Sequence, residues 1–282
     1  VESAHAGKAK KDPRKRVKLT GARETLLITL YAKALESRSN HSVLKDHYAD
    51  EAVRRLDYDF AKLAMGASNN LGLALRAKWF DDRTADFIAR NPKPIILNLG
   101  CGLDTRVLRV SPPPSVRWFD VDFPDVIELR RSVIPERRGC SMIASSVTDP
   151  GWLEHVPNNA PAMIVAEGLL PYIKQRDVLS LLRRLIRHFP SGELAFDAYN
   201  ALGLRLIAMT PAVRATGAEL YWTLEGPEDL EHDVPGLRFL EETNGYDPAL
   251  TVNQPWLYRM VMSAWSQVPM LRRLGRMVRY EF

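Results

Sequence analysis

The chain has 282 residues, 46% of them hydrophobic and 26% charged, with a formal net charge of +5. That size and balance exclude a wholly disordered chain and suffice for one large core or two modest ones. No apolar run reaches the roughly 18 residues that cross a bilayer and the charged first residues precede no apolar signal segment, so no membrane partner is expected and the default location is cytoplasmic.

The excess charge sits at one end. Between Val1 and Lys18 seven basic residues (Lys8, Lys10, Lys11, Arg14, Lys15, Arg16 and Lys18) face only Glu2 and Asp12, and the remaining 264 residues carry 32 basic and 32 acidic side chains. Residues 1–18 therefore read as a disordered basic tail without interleaved aromatics, and a neutral body argues against a nucleic-acid partner. The start at Val1 in place of methionine leaves an upstream segment open.

After the tail the pattern turns helical. Leu26, Leu27, Leu30, Tyr31, Ala34 and Leu35 form a stripe at helical spacing, a second helix is expected over Asp50 to Leu63, and a third over Asn69 to Ala89. Residues 19–92 thus form a helical N-terminal layer. From residue 93 onward short β-rich apolar runs alternate with helical stretches, the texture of a parallel sheet covered on both faces. Strands are expected at Ile95 to Leu99, Val116 to Asp122, Ser141 to Ser145, Ala162 to Ala166 and Leu194 to Ala198, with a strong helix from Gln175 to Phe189. Further on, helices near Leu202 to Met209 and Trp256 to Trp265, an extended stretch at Leu237 to Thr243 and a closing strand at Arg276 to Phe282 complete an α/β core over 93–282. Together, 19–282 read as one domain. The two cysteines, Cys101 and Cys140, show neither disulfide nor metal spacing.

The chemistry gathers where strands end. The first strand runs into Gly100-Cys101-Gly102, a turn that lets a ligand approach more closely than a Cβ would permit. Thr105 stands where a dinucleotide fingerprint needs its third glycine, and no P-loop lysine follows, so a phosphate cradle is disfavoured. About twenty residues on, Asp122 closes the second strand, where an acid accepts hydrogen bonds from ribose hydroxyls. An N-cap for the helix opened by Pro124 is its structural alternative. Glu167 closes the fourth strand ahead of Gly168-Leu169-Leu170-Pro171-Tyr172, and a carboxylate so placed is desolvated and needs a cation or strong donors. Arg76 and Lys18 are the basic candidates for a ligand carboxylate. The six histidines form neither a triad nor a metal pair.

These residues bring the chain close to a known family. LTGARETLLITLYAKALES from Leu19, LRAKWFDD from Leu75, NLGCGLDTR from Asn98, WFDVDFPDVI from Trp118, SSVTDPGWL from Ser145, AEGLLPYI from Ala166 and the closing VRYEF resemble the signatures of the leucine carboxyl methyltransferase family. Within it the chain is most similar to the tetracenomycin polyketide O-methyltransferase branch. The resemblance implies a class I methyltransferase fold, Rossmann-like, with a seven-stranded and mostly parallel sheet. It implies S-adenosyl-L-methionine as cofactor, S-adenosyl-L-homocysteine as product and no metal. It gives Arg76 the methionyl carboxylate, with Lys18 roughly placed for the same task. Gly100, Cys101, Gly102, Asp104 and Arg106 belong to the motif that contacts methionine and ribose, Asp122 takes the ribose hydroxyls, and Glu167 with Gly168 takes the methionyl amino group. Where the protein-phosphatase enzymes place Asp-Leu beside adenine this chain has Ser146-Val147, which makes an adenine contact through Ser146 and backbone the expectation.

The expected reaction is methyl-ester formation on the carboxyl group of a small molecule or polyketide, since a carboxylate with a pKa near 4 is ionised at neutral pH and needs no general base. A phenol, with a pKa near 10, would need one. Tyr172 and Tyr199 are the substrate-side candidates, with Asn200 and Arg259 behind them. A phenolic or alcoholic O-methyltransferase and a non-catalytic binding protein of the same fold are the alternatives, and the expected assembly is a monomer or homodimer.

Overall fold

The structure, a computed structural model, describes residues 14–63, 65–244, 256, 260 and 274–282. The short apolar runs become the centre of a seven-stranded sheet: β1 (Ile95–Leu99), β2 (Arg117–Asp122), β3 (Cys140–Ala144), β4 (Ala162–Ala166), β5 (Gly192–Ala198), β6 (Arg238–Thr243) and β7 (Arg276–Glu281). Their order is β3-β2-β1-β4-β5-β7-β6. Only β7 is reversed, pairing antiparallel with both β5 and β6. This is the expected mostly parallel architecture, and each β strand end falls within a residue or two of its expected place.

The central strands are continuous apolar runs because both faces are covered. Along β1, Ile95, Leu97 and Leu99 join Val178, Leu181, Leu182 and Leu185 of α6 (Gln175–His188), while Ile96 joins Trp79, Phe80 and Phe87 of α3 (Ala67–Arg90). The period-two alternation of strand side chains makes this division. β3, at the sheet edge, is only half-buried.

The N-terminal layer packs on the second strand's side. α1 (Leu26–Ser37) buries Leu27, Ile28 and Leu30 against Val126, Leu129 and Val133 of α5 (Pro124–Val133), with Ala49 and Val53 of α2 (His47–Arg55) in the same cluster. The second helix departs from expectation: it begins earlier because the Asp46 carboxylate caps Ala49 N–H at 3.0 Å. It also stops at Arg55, since Leu56 and Asp57 pair in parallel with Lys15 and Arg16, and a separate turn of 3₁₀ helix covers Phe60–Leu63. The C-terminal end of the expected basic tail is thereby tied to the fold, whereas residues 1–13 lie outside the described ones.

The short α4 (Arg106–Val110) follows the glycine turn, and α7 (Ala201–Ala208), α8 (Pro211–Thr216) and α9 (Pro227–Asp233) follow β5. The last two were not among the expected elements. Of the helix expected over Trp256 to Trp265, Trp256 and Met260 are helical and exposed; the rest, with Arg259, lies outside the described residues. No helix of the described residues is long and apolar enough to cross a membrane.

Between β1 and β4 the chain switches direction across the sheet, and the crevice at such a switch point is where doubly wound sheets hold ligands. One buried cation shapes it. Arg130 of α5 donates to Asp120 on β2 at 2.6 Å and to the carbonyls of Gly102 and Asp104, fixing the glycine turn from behind. Because Arg130→Met would leave Asp120 buried with its charge uncompensated, a loss of about 3–5 kcal/mol is expected in urea unfolding; an unchanged midpoint would contradict this role.

Candidate active site

The turn after β1 has the backbone that glycine allows. Gly100 and Gly102 stand at φ 60° and 48°, and a Cβ on Gly100 would meet Leu169 at 2.7 Å. The carboxylate of Asp122, at the end of β2, accepts from Gly102 N–H and from Phe123 N–H, each at 2.7 Å. Asp122 therefore braces the turn instead of capping the Pro124 helix, whose N-cap, Phe123, gives no side-chain bond. Burial raises its carboxyl above the ordinary aspartate value, and the two backbone donors offset only part of that.

These residues open on a cavity of about 1440 Å³, larger than the roughly 300–1000 Å³ typical of a site for one small molecule. Its lining includes Arg76, Gly100, Cys101, Gly102, Asp104, Asp122, Ser146, Val147, Glu167, Gly168, Tyr172 and Tyr199, which come from six separate stretches of sequence. Three expected contacts are not brought there, and the first, Asn200, instead accepts from Gly203 N–H at 2.8 Å and caps α7. Lys18 is exposed and is not among the lining residues; Arg106 is fully buried behind the wall, inside a network of ion pairs.

That network was not expected. Glu167 receives Lys33 at 3.3 Å and Arg76 at 3.2 Å on Oε1, and Arg106 on Oε2. Asp104 receives Lys33 at 3.0 Å, Arg106 at 2.9 Å and Arg109 at 3.1 Å. Asp81 holds both Arg106 and Arg109, Asp46 holds Arg109 and Thr105, and Asp197 at the end of β5 holds Arg76 at 3.1 Å. Asp197 also accepts from Gly168 N–H, joining the ends of β4 and β5. Four cations thus face five carboxylates, so the cluster carries one surplus negative charge. A signal for Lys33 existed: Leu26, Thr29 and Lys33, spaced i, i+3, i+7, share one flank of α1, and all three line the cavity.

The network decides protonation. Burial by itself would push the Glu167 carboxyl up, but Lys33, Arg76 and Arg106 outweigh it and hold it at about 2. Burial likewise opposes Asp104, and Arg106, Lys33 and Arg109 bring it well below the usual range. Burial raises the Tyr172 and Tyr199 hydroxyls, with Arg76 close to both, so they are neutral donors at physiological pH. Ser146 shares a hydrogen bond of 2.8 Å with Thr148, and the Val147 carbonyl takes Trp152 and Arg184. The histidines whose bonds are described are engaged elsewhere, His188 on the Val156 carbonyl and His232 beside Asp233.

S-adenosylmethionine fits this donor set. The Arg76 Nε is buried without a hydrogen-bond partner, one donor to spare for a carboxylate. Each carboxylate oxygen accepts about two bonds, so Glu167 keeps one acceptor position on Oε2. The surplus negative charge suits a ligand that is cationic overall, as a sulfonium-bearing amino acid is. Among the described residues no group of His, Cys, Asp and Glu is arranged to hold a metal ion.

Comparison with known proteins agrees in kind. The model of a family described as leucine carboxyl methyltransferase matches residues 26–148. The tetracenomycin polyketide synthesis O-methyltransferase TcmP of Streptomyces glaucescens is 42% identical over 266 residues, covering 94% of this chain and 98% of that protein. The S-adenosyl-L-methionine-dependent methyltransferase dpfgK of Gibberella zeae is 35% identical over 289 residues, covering 95% and 97%. Among solved structures, a DUF574 family protein from Streptomyces avermitilis superposes with a TM-score of 0.54 at 16% identity, covering 89% of this chain and 96% of that one, a likeness of fold.

The lowered carboxyls set an acid limit. A carboxyl whose folded-state pKa is depressed contributes stability that is present above its unfolded value and lost as pH falls toward the folded one. For Glu167 that window runs from 4.5 down to about 2, and Asp104 loses its share below 3.8. Thermal melting should be level from about pH 7 to 5 and fall steadily below about 4.5, and the fall should be shallower in Glu167→Gln. A melting temperature that stayed level to about pH 3 would contradict the network.

Proposed function

Because the chain belongs to the leucine carboxyl methyltransferase family and is an S-adenosylmethionine-dependent O-methyltransferase, we propose that it forms methyl esters on the carboxyl group of a small, polyketide-type acid. The observation that carries this reading is the composition of the cavity. A charged wall of Lys33, Arg76, Asp104 and Glu167 suits the cofactor's amino-acid end, while Leu26, Met65, Leu73, Leu206, Ile207 and Leu220 line an apolar room for an acceptor. The volume suits both molecules at once.

Bound S-adenosylmethionine supplies a methyl group on a sulfonium sulfur, open to in-line displacement by an oxygen nucleophile. The chain's part is to hold and to exclude. Arg76 grips the methionyl carboxylate with its spare Nε, Glu167 accepts from the amino group, and Asp122 accepts from the ribose hydroxyls with the lone pairs its two backbone bonds leave over. Gly100, Cys101, Gly102 and Gly168 would admit the chain of the amino acid, and Ser146 with Val147 would take the adenine. Tyr172 and Tyr199, held neutral, donate to the acceptor carboxylate and aim one oxygen.

An acceptor carboxylate is ionised near neutral pH, so these donors need only orient it. Holding two reactants in line supplies about 7–11 kcal/mol of a barrier, which makes a base unnecessary. The tyrosines support this choice of acceptor, because a phenol acceptor needs a base, and Tyr172 and Tyr199, held protonated by burial, cannot take its proton. The acceptor resembles what the Streptomyces glaucescens relative's name describes, a polyketide.

The test is a mass-spectrometric screen of aromatic acids and polyketide phenols with isotope-labelled cofactor. The expected product carries one labelled methyl group that mild base releases, at a rate constant level from about pH 6 to 8 because nothing on the acceptor titrates there. A base-stable methyl ether, formed faster as pH rises, would overturn the carboxyl reading in favour of a phenolic acceptor.

A further inference from the structure

Lys33 is a buried ammonium within the first signature block, and the reading of the site so far gives it no role toward the cofactor. It stands on α1 between Ala32 and Ala34, two fully buried residues, with its own side chain 4% exposed. Burying an isolated ammonium costs several kcal/mol, so such a lysine persists only where partners compensate it. Its partners come from two loops far apart in the chain: Asp104 Oδ1 at 3.0 Å, from the turn after β1, and Glu167 Oε1 at 3.3 Å, from the end of β4.

We propose that Lys33 is a positioning residue for the cofactor: from α1 it holds the Glu167 carboxylate and the Asp104 turn together on one wall of the cavity, in the arrangement in which Glu167 takes up the amino group of the nucleoside amino acid. The proposal rests on the reading of Glu167 as the amino-group acceptor. Its physical basis is the crowding of like charges. Asp104 and Glu167 share Arg106, which reaches one with Nη1 and the other with Nη2. Arg76 from α3 approaches Glu167 from a second side. Lys33 is the other cation between the two carboxylates, donating a hydrogen bond to Asp104 and forming an ion pair with Glu167.

Without Lys33 the carboxylate of Glu167 would face Arg76 of α3, Arg106 of α4 and the negative Asp104 of the glycine turn. Burial and Asp104 would then push its carboxyl upward against two cations in place of three. A carboxylate held by two cations in place of three is less firmly fixed beside the Asp104 turn, so removing Lys33 weakens the contact that Glu167 offers an ammonium group.

Calorimetric titration of S-adenosylhomocysteine into the wild type, Lys33→Met, Lys33→Arg and Glu167→Gln, at about pH 8 and about pH 6, tests this. The wild type should bind equally at both values. Lys33→Met should bind about five- to tenfold more weakly at both pH values, while Lys33→Arg, which keeps the charge, stays within about twofold of wild type at both. If Glu167→Gln weakens binding and Lys33→Met does not, the proposal falls and the reading of Glu167 stands. If Glu167→Gln binds as the wild type does, the reading itself falls, and the proposal with it. An equal loss at both pH values that arginine does not restore would make Lys33 a structural residue only and overturn the proposal. Should Lys33→Met lack a folded circular-dichroism spectrum, Lys33→Gln, which keeps hydrogen bonding and removes the charge, is titrated in its place and read in the same way.

Discussion

The guanidinium of Arg106 is the point from which the charged half of the molecule is organised. It is fully buried, and taking an ion out of water costs several kcal/mol that only well-aligned partners recover. Its Nε meets Asp81 of α3, its Nη1 meets Asn98 of β1 and Asp104 of the glycine turn, and its Nη2 meets Glu167 of β4. Four segments are thereby fixed relative to one another by one side chain. Arg109, one helical turn later, repeats the device with Asp81, Asp104 and Asp46, and so draws in the start of α2. The wall of the cavity is the exposed edge of this cluster.

Building a ligand site on buried ion pairs has consequences that an apolar core could not supply. Each carboxylate is oriented by two or more donors, so it meets a ligand without first reorganising, and this is where electrostatic binding gains most. The cluster also keeps an imbalance, with five carboxylates to four cations, and a spare donor on Arg76 Nε. Both features are costly in the empty site, and both are matched by a zwitterionic amino acid that carries a sulfonium. The same lattice keeps Glu167 and Asp104 ionised and leaves Tyr172 and Tyr199 protonated. The division suits a reaction that needs positioning and charge, not proton transfer.

Much of the frame was legible in the sequence. The central strands could be read because strands covered on both faces are continuous apolar runs, and the glycine turn because φ values of 60° and 48° favour glycine at those positions. Asp122 and Glu167 were legible from their position at strand ends. The second helix was misjudged because its limits depend on distant partners: Asp46 is held by Thr105 and Arg109, and Leu56 with Asp57 by Lys15 and Arg16. Charged side chains were harder still. A lysine or arginine in a sequence reads as a solvated group, so Lys18 in the basic arm was named as a ligand while Lys33 in its helix was passed over, and Arg106 looked like a contact because it stands in the motif. Which of them lies inside, at the wall or behind it follows from packing that no local pattern encodes. Asp197 was missed for the same reason, being one acid among the apolar residues of β5.

The account stands or falls on whether this charged wall receives the amino-acid end of the cofactor. A crystal structure with S-adenosylhomocysteine measures that directly. The account predicts the methionyl carboxylate on Arg76, the amino group within hydrogen-bond distance of Glu167, and the ribose hydroxyls on Asp122. A nucleoside bound with its amino-acid end away from Arg76 and Glu167, or outside the cavity, would contradict it.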